Sequence, residues 1–381
     1  MAVENPAQPI SESQRMEEFE EMLAVANIDP TTEIRRVQDN AAAIFTWDYE
    51  KGKRAKLDKL YEKAKTAQWN GSTDLDWDAD VDAERVAAEI NSNDYRGKYI
   101  AMLMEAEGSP IAGWTDKEWR EYSLEGFGWR LAQFMHGEQG ALLATAKLVE
   151  TVPWIDAKYY AATQVMDEAR HVEVFARYLD EKVPVDYPIN HHLQSLLDDI
   201  ISDERWDITY LGMQIMVEGL ALAAFGSMHQ NTKEPLLKNL LRYVMSDEAR
   251  HVAFGVLSLQ EYYQELSAAE ILERQQFAHE AAVRMRDRFL QQEVWERLGV
   301  DVRAMTKVFL QQDPAENVFQ QMLFAKIVPN CRKLGLLDAG DGYLRQAFTD
   351  MGIIQYENLV STDEEYGALD ELSKDRQTST A

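Results

Sequence analysis

Apolar positions in the middle of the chain recur with the period of long amphipathic helices. Only short breaks interrupt this pattern between residues 116 and 263. Runs of β-branched residues are few, and helix formers such as alanine, leucine and glutamate are abundant. The pattern therefore predicts an all-α fold, with central helices at about 116–150, 154–181, 191–202, 204–230 and 234–263.

The flanking regions are helical in part. Before the centre, the periodicity predicts helices at Met16 to Ala26 and at Thr32 to Gln68, the second interrupted near residues 49–53. After the centre, it predicts helices at 267–297, 300–311, 315–334 and 341–352. We divide the chain into an N-terminal tail, helical extension and acidic loop (1–115), a four-helix bundle (116–263), C-terminal helices packed on the bundle (264–360) and a polar, unstructured tail (361–381).

The acidic loop carries an aspartate at every second position from Asp74 to Asp82. A calcium-binding EF-hand loop that began at Asp74 would need glycine at its sixth position and glutamate at its twelfth. The chain has Ala79 and Arg85 there. We therefore expect an acidic surface loop that leads into a helix.

An internal repeat organises the centre of the chain. The hexapeptide Asp-Glu-Ala-Arg-His-Val at residues 167–172 recurs at residues 247–252, 80 residues later. The same displacement carries Glu138 onto Glu218. The two motif residues Glu168 and His171 and the separate Glu138 thus all recur at one offset, which predicts a duplicated helical hairpin.

The spacing within each copy predicts a metal site. Each hexapeptide pairs a glutamate with a histidine three residues later, so both side chains lie on one face of a helix. A further glutamate stands 30 residues before each pair, and helix breakers lie halfway, at Pro153 and around Pro235. Two such hairpins, packed face to face, would bring together Glu138, Glu168, His171, Glu218, Glu248 and His251.

The chemistry of these six residues indicates a pair of divalent cations. Four buried glutamates would carry about four negative charges, which an apolar core does not tolerate without compensation. Carboxylate and imidazole ligands without sulfur suit iron or manganese. We expect two Fe ions, with manganese or a mixed Mn/Fe pair left open, and we recognise no haem or nucleotide motif.

Residues beside the ligands complete the predicted site. Asp167 and Asp247 can each accept a hydrogen bond from the histidine of the opposite motif, while Arg170 and Arg250 balance their charge. Small and apolar residues near the glutamates either leave room for dioxygen and an organic substrate or allow close packing of the helices. The candidate substrate pocket comprises Ala141, Leu142, Thr145, Phe175, Leu222 and Phe225.

Composition and charge narrow the partners. The formal charge of −27 repels a phosphate backbone, so we expect no nucleic acid partner. The only cysteine, Cys331, excludes an intramolecular disulfide. We find no apolar run long enough to span a membrane and no apolar signal core at the N-terminus. A cytoplasmic protein is the expectation.

The paired Asp-Glu-Ala-Arg-His motifs resemble those of the ferritin-like superfamily of non-haem di-iron oxygenases, and most of all bacterial multicomponent monooxygenase hydroxylases. The resemblance covers about residues 116–263. It implies a ferritin-like four-helix bundle with a long crossover and additional N- and C-terminal helices. It also implies dioxygen activation to oxygenate a small organic substrate, a ferredoxin or flavoprotein reductase as electron donor, and a homodimer.

Three positions depart from related families, and other functions stay open. Phe175 stands where radical-bearing ribonucleotide reductase small subunits usually have tyrosine. Leu222 stands where multicomponent hydroxylases usually have threonine, and Val244 where arylamine N-oxygenases have a third histidine. The alternatives are an arylamine-type N-oxygenase, a radical-generating reductase-like subunit and a ferroxidase or iron-handling protein.

Overall fold

The computed structural model describes residues 52–312 and 318–366, together with residues 16, 19 and 20. Within these ranges every element of regular secondary structure is helical, which confirms the all-α prediction. Apart from residues 16, 19 and 20, the predicted helix at 16–26 and the other residues before 52 lie outside the described residues. The helices are α1 Ala55–Thr66, α2 Ala83–Asn93, α3 Tyr95–Met104, α4 Asp116–Thr151, α5 Ile155–Lys182, α6 His191–Ser202, α7 Trp206–Asn231, α8 Pro235–Tyr262, α9 Ala268–Asp287, α10 Gln292–Arg297, α11 Val302–Gln311, α12 Val318–Leu323, α13 Ile327–Lys333 and α14 Tyr343–Asp350.

Four long helices, α4, α5, α7 and α8, form the central bundle. Helix α4 packs along α5, and α7 packs along α8, so each half of the bundle is a helical hairpin. A capping box of Thr115 and Glu118 begins α4. Glu234 accepts hydrogen bonds from two backbone amides at the start of α8, where Pro235 takes the first helical position. The two hairpin turns therefore lie where the sequence places them.

Helix α6 forms the crossover between the hairpins. The Asn190 side chain caps its first turn by accepting from the backbone amides of His192 and Leu193. The crossover returns the chain to the end of the bundle at which α5 began, so α7 starts level with α5. This matches the long crossover that the sequence predicts.

A π-helical turn, Leu211–Val217, interrupts α7 directly before Glu218. It packs against Gly255 of α8, where an added Cβ would lie 2.6 Å from Gln214 Cβ. π-turns inside α-helices are often found at functional sites. The hydrophobic pattern does not predict this turn because all seven of its residues are buried, which leaves no polar face to define a period.

Helix α7 is also long and apolar enough to cross a membrane, judged by length and composition alone. Its most apolar window has a mean hydropathy of 1.5, contrary to our expectation of no such run. However, 89% of that window is buried inside the protein. The apolarity of α7 therefore matches that of a core helix enclosed by its neighbours.

The N-terminal segments cover the bundle on the side of α5 and α8. Helix α1 packs on both of these helices, and the acidic loop follows it. The loop is more than a solvated surface, because Leu75 and Trp77 alternate with its aspartates and are buried. The indole of Trp77 donates to the Gly71 carbonyl at 2.6 Å, and Asp82 caps α2. Helix α3 was not predicted.

The C-terminal helices are shorter than predicted. The expected helix at 267–297 ends at Asp287 and continues through a 3-10 turn, Arg288–Leu290, before Gln291 adopts φ 52° and breaks it. The expected helix at 315–334 divides into α12 and α13. Helical structure also extends to residues 362–366, where Thr362 exchanges two hydrogen bonds with Asn330. The unstructured tail predicted from residue 361 is therefore wrong in its first residues.

Candidate metal centre

The structure brings all six predicted ligands to one point in the bundle core. Helices α4 and α7 each contribute one glutamate, and helices α5 and α8 each contribute a Glu-x-x-His pair. Every one of these side chains is at most 5% exposed. Ferritin-like dimetal bundles have this arrangement: each of two helices contributes one inward-facing glutamate, and each of the other two contributes a Glu-x-x-His pair. The residues are Glu138 on α4, Glu168 and His171 on α5, Glu218 on α7, and Glu248 and His251 on α8.

The ligand atoms form two overlapping groups. Nδ1 of His171 lies 3.4 Å from carboxylate oxygens of Glu138 and Glu168 and 3.1 Å from Glu248 Oε1. Nδ1 of His251 lies 3.1 Å from Glu168 Oε1 and 3.5 Å from Glu248 Oε1. Glu168 and Glu248 thus face both histidines, as bridging carboxylates would.

Each group is compact enough to hold one ion. In the first group, ligand atoms of Glu138, Glu168, His171 and Glu248 lie within 4.8 Å of one another. In the second group, ligand atoms of Glu168, Glu218 and His251 do the same. Glu168 belongs to both groups.

Several of these atoms are buried without a hydrogen-bond partner, which tests whether a metal pair fits. They include Nδ1 of both histidines and the Oε2 atoms of the three glutamates Glu168, Glu218 and Glu248. Leaving buried polar atoms unpaired is costly. Because the unpaired atoms converge and are all lone-pair donors, the cluster fits a dimetal site.

Charge in the centre shifts its protonation. Burial raises the pKa of Glu138 and Glu218 well above the usual range, and the charge of Glu248 adds to both effects. Burial opposes charge on Glu168 as well, yet its pKa falls because His251 and His171 surround it. The pKa of each histidine is raised by neighbouring carboxylates despite burial. The metal-free centre therefore holds protons that bound cations would displace.

Two aspartates orient the histidines from behind, and the pairing is crossed between motifs. Nε2 of His171 lies 3.1 Å from Asp247 Oδ2, and Nε2 of His251 lies 3.3 Å from Asp167 Oδ2. A proton held on Nε2 leaves the Nδ1 lone pair facing the centre. This crossing follows from the 100° step between successive helical residues.

Two arginines balance the aspartates. Nη2 of Arg170 donates to Asp167 at 2.6 Å and to Asp247 at 3.2 Å. Nη2 of Arg250 also donates to both aspartates. The four buried side chains sum to zero charge, so the histidines are held by a neutral cluster.

Sequence analysis missed two further polar contacts. The Gln164 amide donates to Oε1 of Glu168 and Oε1 of Glu218, at 2.9 Å each. Its position four residues before Glu168, on the same helical face, was an available signal. The Trp69 indole donates to Asp247 Oδ2 at 2.8 Å from a turn 178 residues away along the chain, and no local spacing indicates it.

A small cavity borders the centre, and we call it the metal cavity. It offers about 20 Å³ to a water-sized molecule, enough for one water or a diatomic gas. Its walls are Gln133, Phe134, Gly137, Glu138, Ala141, Val217, Glu218, Ala221, Phe225, Glu248 and Arg288.

Two of the predicted pocket residues, Ala141 and Phe225, line the metal cavity. Phe175 lies behind the wall, with its ring 5.6 Å from that of Phe225. Leu142 and Leu222 do not line it, because each is one helical step past a residue that does. Thr145 lies one turn beyond Ala141, with its hydroxyl buried and unpaired.

Two glycines of α4 differ in role: one allows close packing of helices, and the other leaves open space beside the metal centre. An added Cβ at Gly140 would lie 2.6 Å from Leu197 of the crossover helix, so this glycine permits close packing. Gly137 lines the metal cavity, and an added Cβ there would meet nothing within 4 Å. Gly137 is therefore the glycine that leaves open space beside Glu138.

Comparison with known structures finds similar folds at low identity. A mutant of an R2-like ligand-binding oxidase with an anaerobically reconstituted Mn/Fe cofactor is 19% identical, with a TM-score of 0.45, over 76% of this chain and 95% of that one. Another mutant, with an aerobically reconstituted Mn/Fe cofactor, is 17% identical, with a TM-score of 0.46, over 79% and 95%. No family model and no curated protein matches the chain. Because both TM-scores lie below 0.5, this likeness adds no weight to the geometry of the site.

Proposed function

We propose that this protein is a di-iron oxygenase that activates dioxygen to hydroxylate or otherwise oxygenate a small organic substrate. The convergence of four buried carboxylates and two imidazoles on one point, with their lone pairs unpartnered, supports this function. The first ion would be held by Glu138, Glu168, Glu248 and His171, and the second by Glu168, Glu218 and His251. When bound, a ferrous pair supplies electrons to dioxygen.

The protein's own side chains prepare the site for that chemistry. Asp247 and Asp167 hold the histidine protons on Nε2, so that both Nδ1 atoms act as ligands. Gln164 donates to Glu168 and Glu218, which holds the terminal carboxylate of Glu218 towards the shared one. A π-turn, Leu211–Val217, directly precedes Glu218 in α7.

The metal cavity supports a gaseous co-substrate. Its volume of about 20 Å³ accommodates dioxygen beside Glu138 and Glu218. Phe134 and Phe225 keep bulk water away, with ring centroids 4.7 Å apart. An organic substrate requires movement of these walls, as is common when an active site closes around its ligand.

Monooxygenation sets a requirement for electrons. One oxygen atom enters the substrate and the other leaves as water, which consumes two external electrons and two protons per turnover. A ferredoxin or flavoprotein reductase is therefore part of the proposal, as is a homodimeric assembly.

The test is anaerobic loading with ferrous iron, followed by stopped-flow mixing with oxygenated buffer. We expect two irons per chain and a transient visible absorption band. The double variant Glu168→Gln/Glu248→Gln should lose both because it neutralises Glu168, which belongs to both ligand groups, and Glu248, which faces both histidines. The matched control is Glu173→Gln on the same helix, whose side chain is exposed and should leave both signals unchanged.

Different outcomes separate the alternatives. Two bound irons without reaction with dioxygen would contradict the oxygenase. Dioxygen consumption that continues with added iron and forms a mineral would indicate a ferroxidase. A stable organic radical after oxygen exposure would indicate a radical-generating subunit.

A further inference from the structure

Arg288 is a buried arginine at the boundary between two cavities. It follows α9 in the 3-10 turn and is 5% exposed. On one side it lines the metal cavity. On the other side it lines a second cavity, also of about 20 Å³, which we call the arginine cavity. The arginine cavity is lined by Ile90, Asp94, Trp129, Arg130, Gln133, Phe134, Ala224, Ser227, Met228, Arg288 and Phe289.

The guanidinium of Arg288 has no polar partner in the described part of the chain. Among the described residues it makes no hydrogen bond and no ion pair, and its Nε is buried and unpaired. Its Cζ lies 5.0 Å from the ring centroid of the adjacent Phe289. Burial lowers its pKa to about 10, so it remains charged at neutral pH. Buried charges in proteins are ordinarily paired.

Arg130, on α4, adds a second guanidinium to the arginine cavity. It is 5% exposed, donates from Nη2 to Asn91 Oδ1 at 3.1 Å, and leaves Nη1 buried without a partner. The acidic member of the cavity lining is Asp94. The lining thus holds two guanidinium groups and one carboxylate, which is an excess of positive charge.

We propose that the arginine cavity binds the carboxylate group of an organic substrate, with Arg288 as its anchor, and that the remainder of the substrate extends past Phe134 into the metal cavity. Gln133, Phe134 and Arg288 line both cavities, so they form the shared wall through which the substrate would pass. The placement of the remainder of the substrate in the metal cavity rests on the proposed oxygenase function. Binding of the carboxylate does not depend on it.

The geometry favours a carboxylate over a larger anion. A guanidinium presents parallel N–H donors that match the two oxygens of a carboxylate. At about 20 Å³ the arginine cavity holds one water-sized molecule, so a carboxylate requires movement of its walls, and a planar group requires less movement than a tetrahedral phosphate. Trp129, Met228 and Phe289 give the cavity apolar walls, which suit the hydrocarbon next to the carboxylate.

Calorimetric titration of the metal-free chain tests the proposal without any contribution from bound iron. The probes are hexanoate, benzoate, the neutral isostere hexan-1-ol and inorganic phosphate. We expect both carboxylates to bind, with hexan-1-ol and phosphate at least about tenfold weaker. Arg288→Gln should weaken hexanoate binding by about tenfold or more. Arg284→Gln, one turn earlier and paired with Asp199 at the surface, is the control and should bind as the unmodified protein does.

Several results would overturn the proposal. They are absence of carboxylate binding to the unmodified protein, equal binding of hexanoate and hexan-1-ol, tighter binding of phosphate, or undiminished hexanoate binding by Arg288→Gln. Because the titration contains no metal and no dioxygen, its outcome is separate from that of the oxygen-reactivity experiment.

The sign of a stability change provides a second test. Without ligand, an unpaired buried charge destabilises the fold, so Arg288→Met should raise the melting temperature by about 2 °C or more. An arginine that served only the structure would give the opposite result. A lower melting temperature, or failure of this variant to fold, would therefore overturn the proposal.

Discussion

Replacing Asp247 by asparagine should damage both the fold and one half of the metal centre. Asp247 is 1% exposed and accepts from His171 Nε2 at 3.1 Å, Arg170 Nη2 at 3.2 Å and Trp69 Nε1 at 2.8 Å. It also pairs with Arg250. The Asp247→Asn variant keeps the shape of the side chain but leaves the two arginines opposite one aspartate.

The magnitude follows from that charge count. Breaking a buried ion pair by neutralising one partner costs about 3–5 kcal/mol. At about 2 °C per kcal/mol for a large domain, the melting temperature should fall by roughly 6 °C or more. Loss of the carboxylate charge behind His171 should weaken iron binding by about 10- to 100-fold. The weaker binding should affect only the ion held by His171, because Asp167 still orients His251.

Chelator competition with ferrous iron, combined with thermal denaturation, measures both effects. The control is Asp180→Asn, an exposed aspartate on α5, the helix that carries His171, which should change neither quantity. If Asp247→Asn bound two irons with unchanged affinity, the assignment of Asp247 as the group that orients His171 would be refuted.

Three further predictions concern glycine packing, the Trp69 indole contact and the protons held by the metal-free centre. Gly137→Ala should raise the free energy of unfolding by up to about 1 kcal/mol, because its Cβ meets open space in a helix interior, whereas Gly140→Ala should lower it by about 1–3 kcal/mol by displacing Leu197. Denaturant unfolding of both variants measures these changes, and equal effects would contradict the prediction. Trp69→Phe removes the donor to an aspartate behind the centre and should lower the free energy of unfolding by about 1–3 kcal/mol, so unchanged denaturant unfolding would count against this contact. The raised pKa values of Glu138, Glu218 and the two histidines mean that the folded, metal-free chain holds more protons than the unfolded chain above the ordinary pKa values of glutamate and histidine, about 4.3 and 6.5. Its melting temperature should therefore fall from pH 6 to pH 8, and a rise would refute this assignment of protons.

The repeat made the bundle predictable, because its periodicity and spacing are local properties of the sequence. The offset from Glu138 to Glu168 requires a turn near Pro153, and the structure ends α4 at Thr151 and begins α5 at Ile155. The pairing of Asp247 with His171 likewise follows from helical phase. For these features, the local spacing and the tertiary packing agree.

Other features were beyond prediction because they depend on distant contacts or on helical phase at single-residue accuracy. The indole of Trp69 reaches Asp247 from another part of the chain, and no motif connects them. Leu142 and Leu222 were placed in the pocket but do not line the cavity; their neighbours Ala141, which was also predicted, and Ala221, which was not, line it. Arg288 lies in a short turn whose position only the folded chain defines.

Anomalous diffraction at the iron absorption edge, from crystals grown anaerobically with ferrous iron, tests directly whether the six side chains hold a metal pair. We predict two peaks, about 3.5–4 Å apart, located between Nδ1 of His171 and Nδ1 of His251. The Glu168→Gln/Glu248→Gln variant should show neither peak. A single peak, or peaks located away from these histidines, would contradict the dimetal centre.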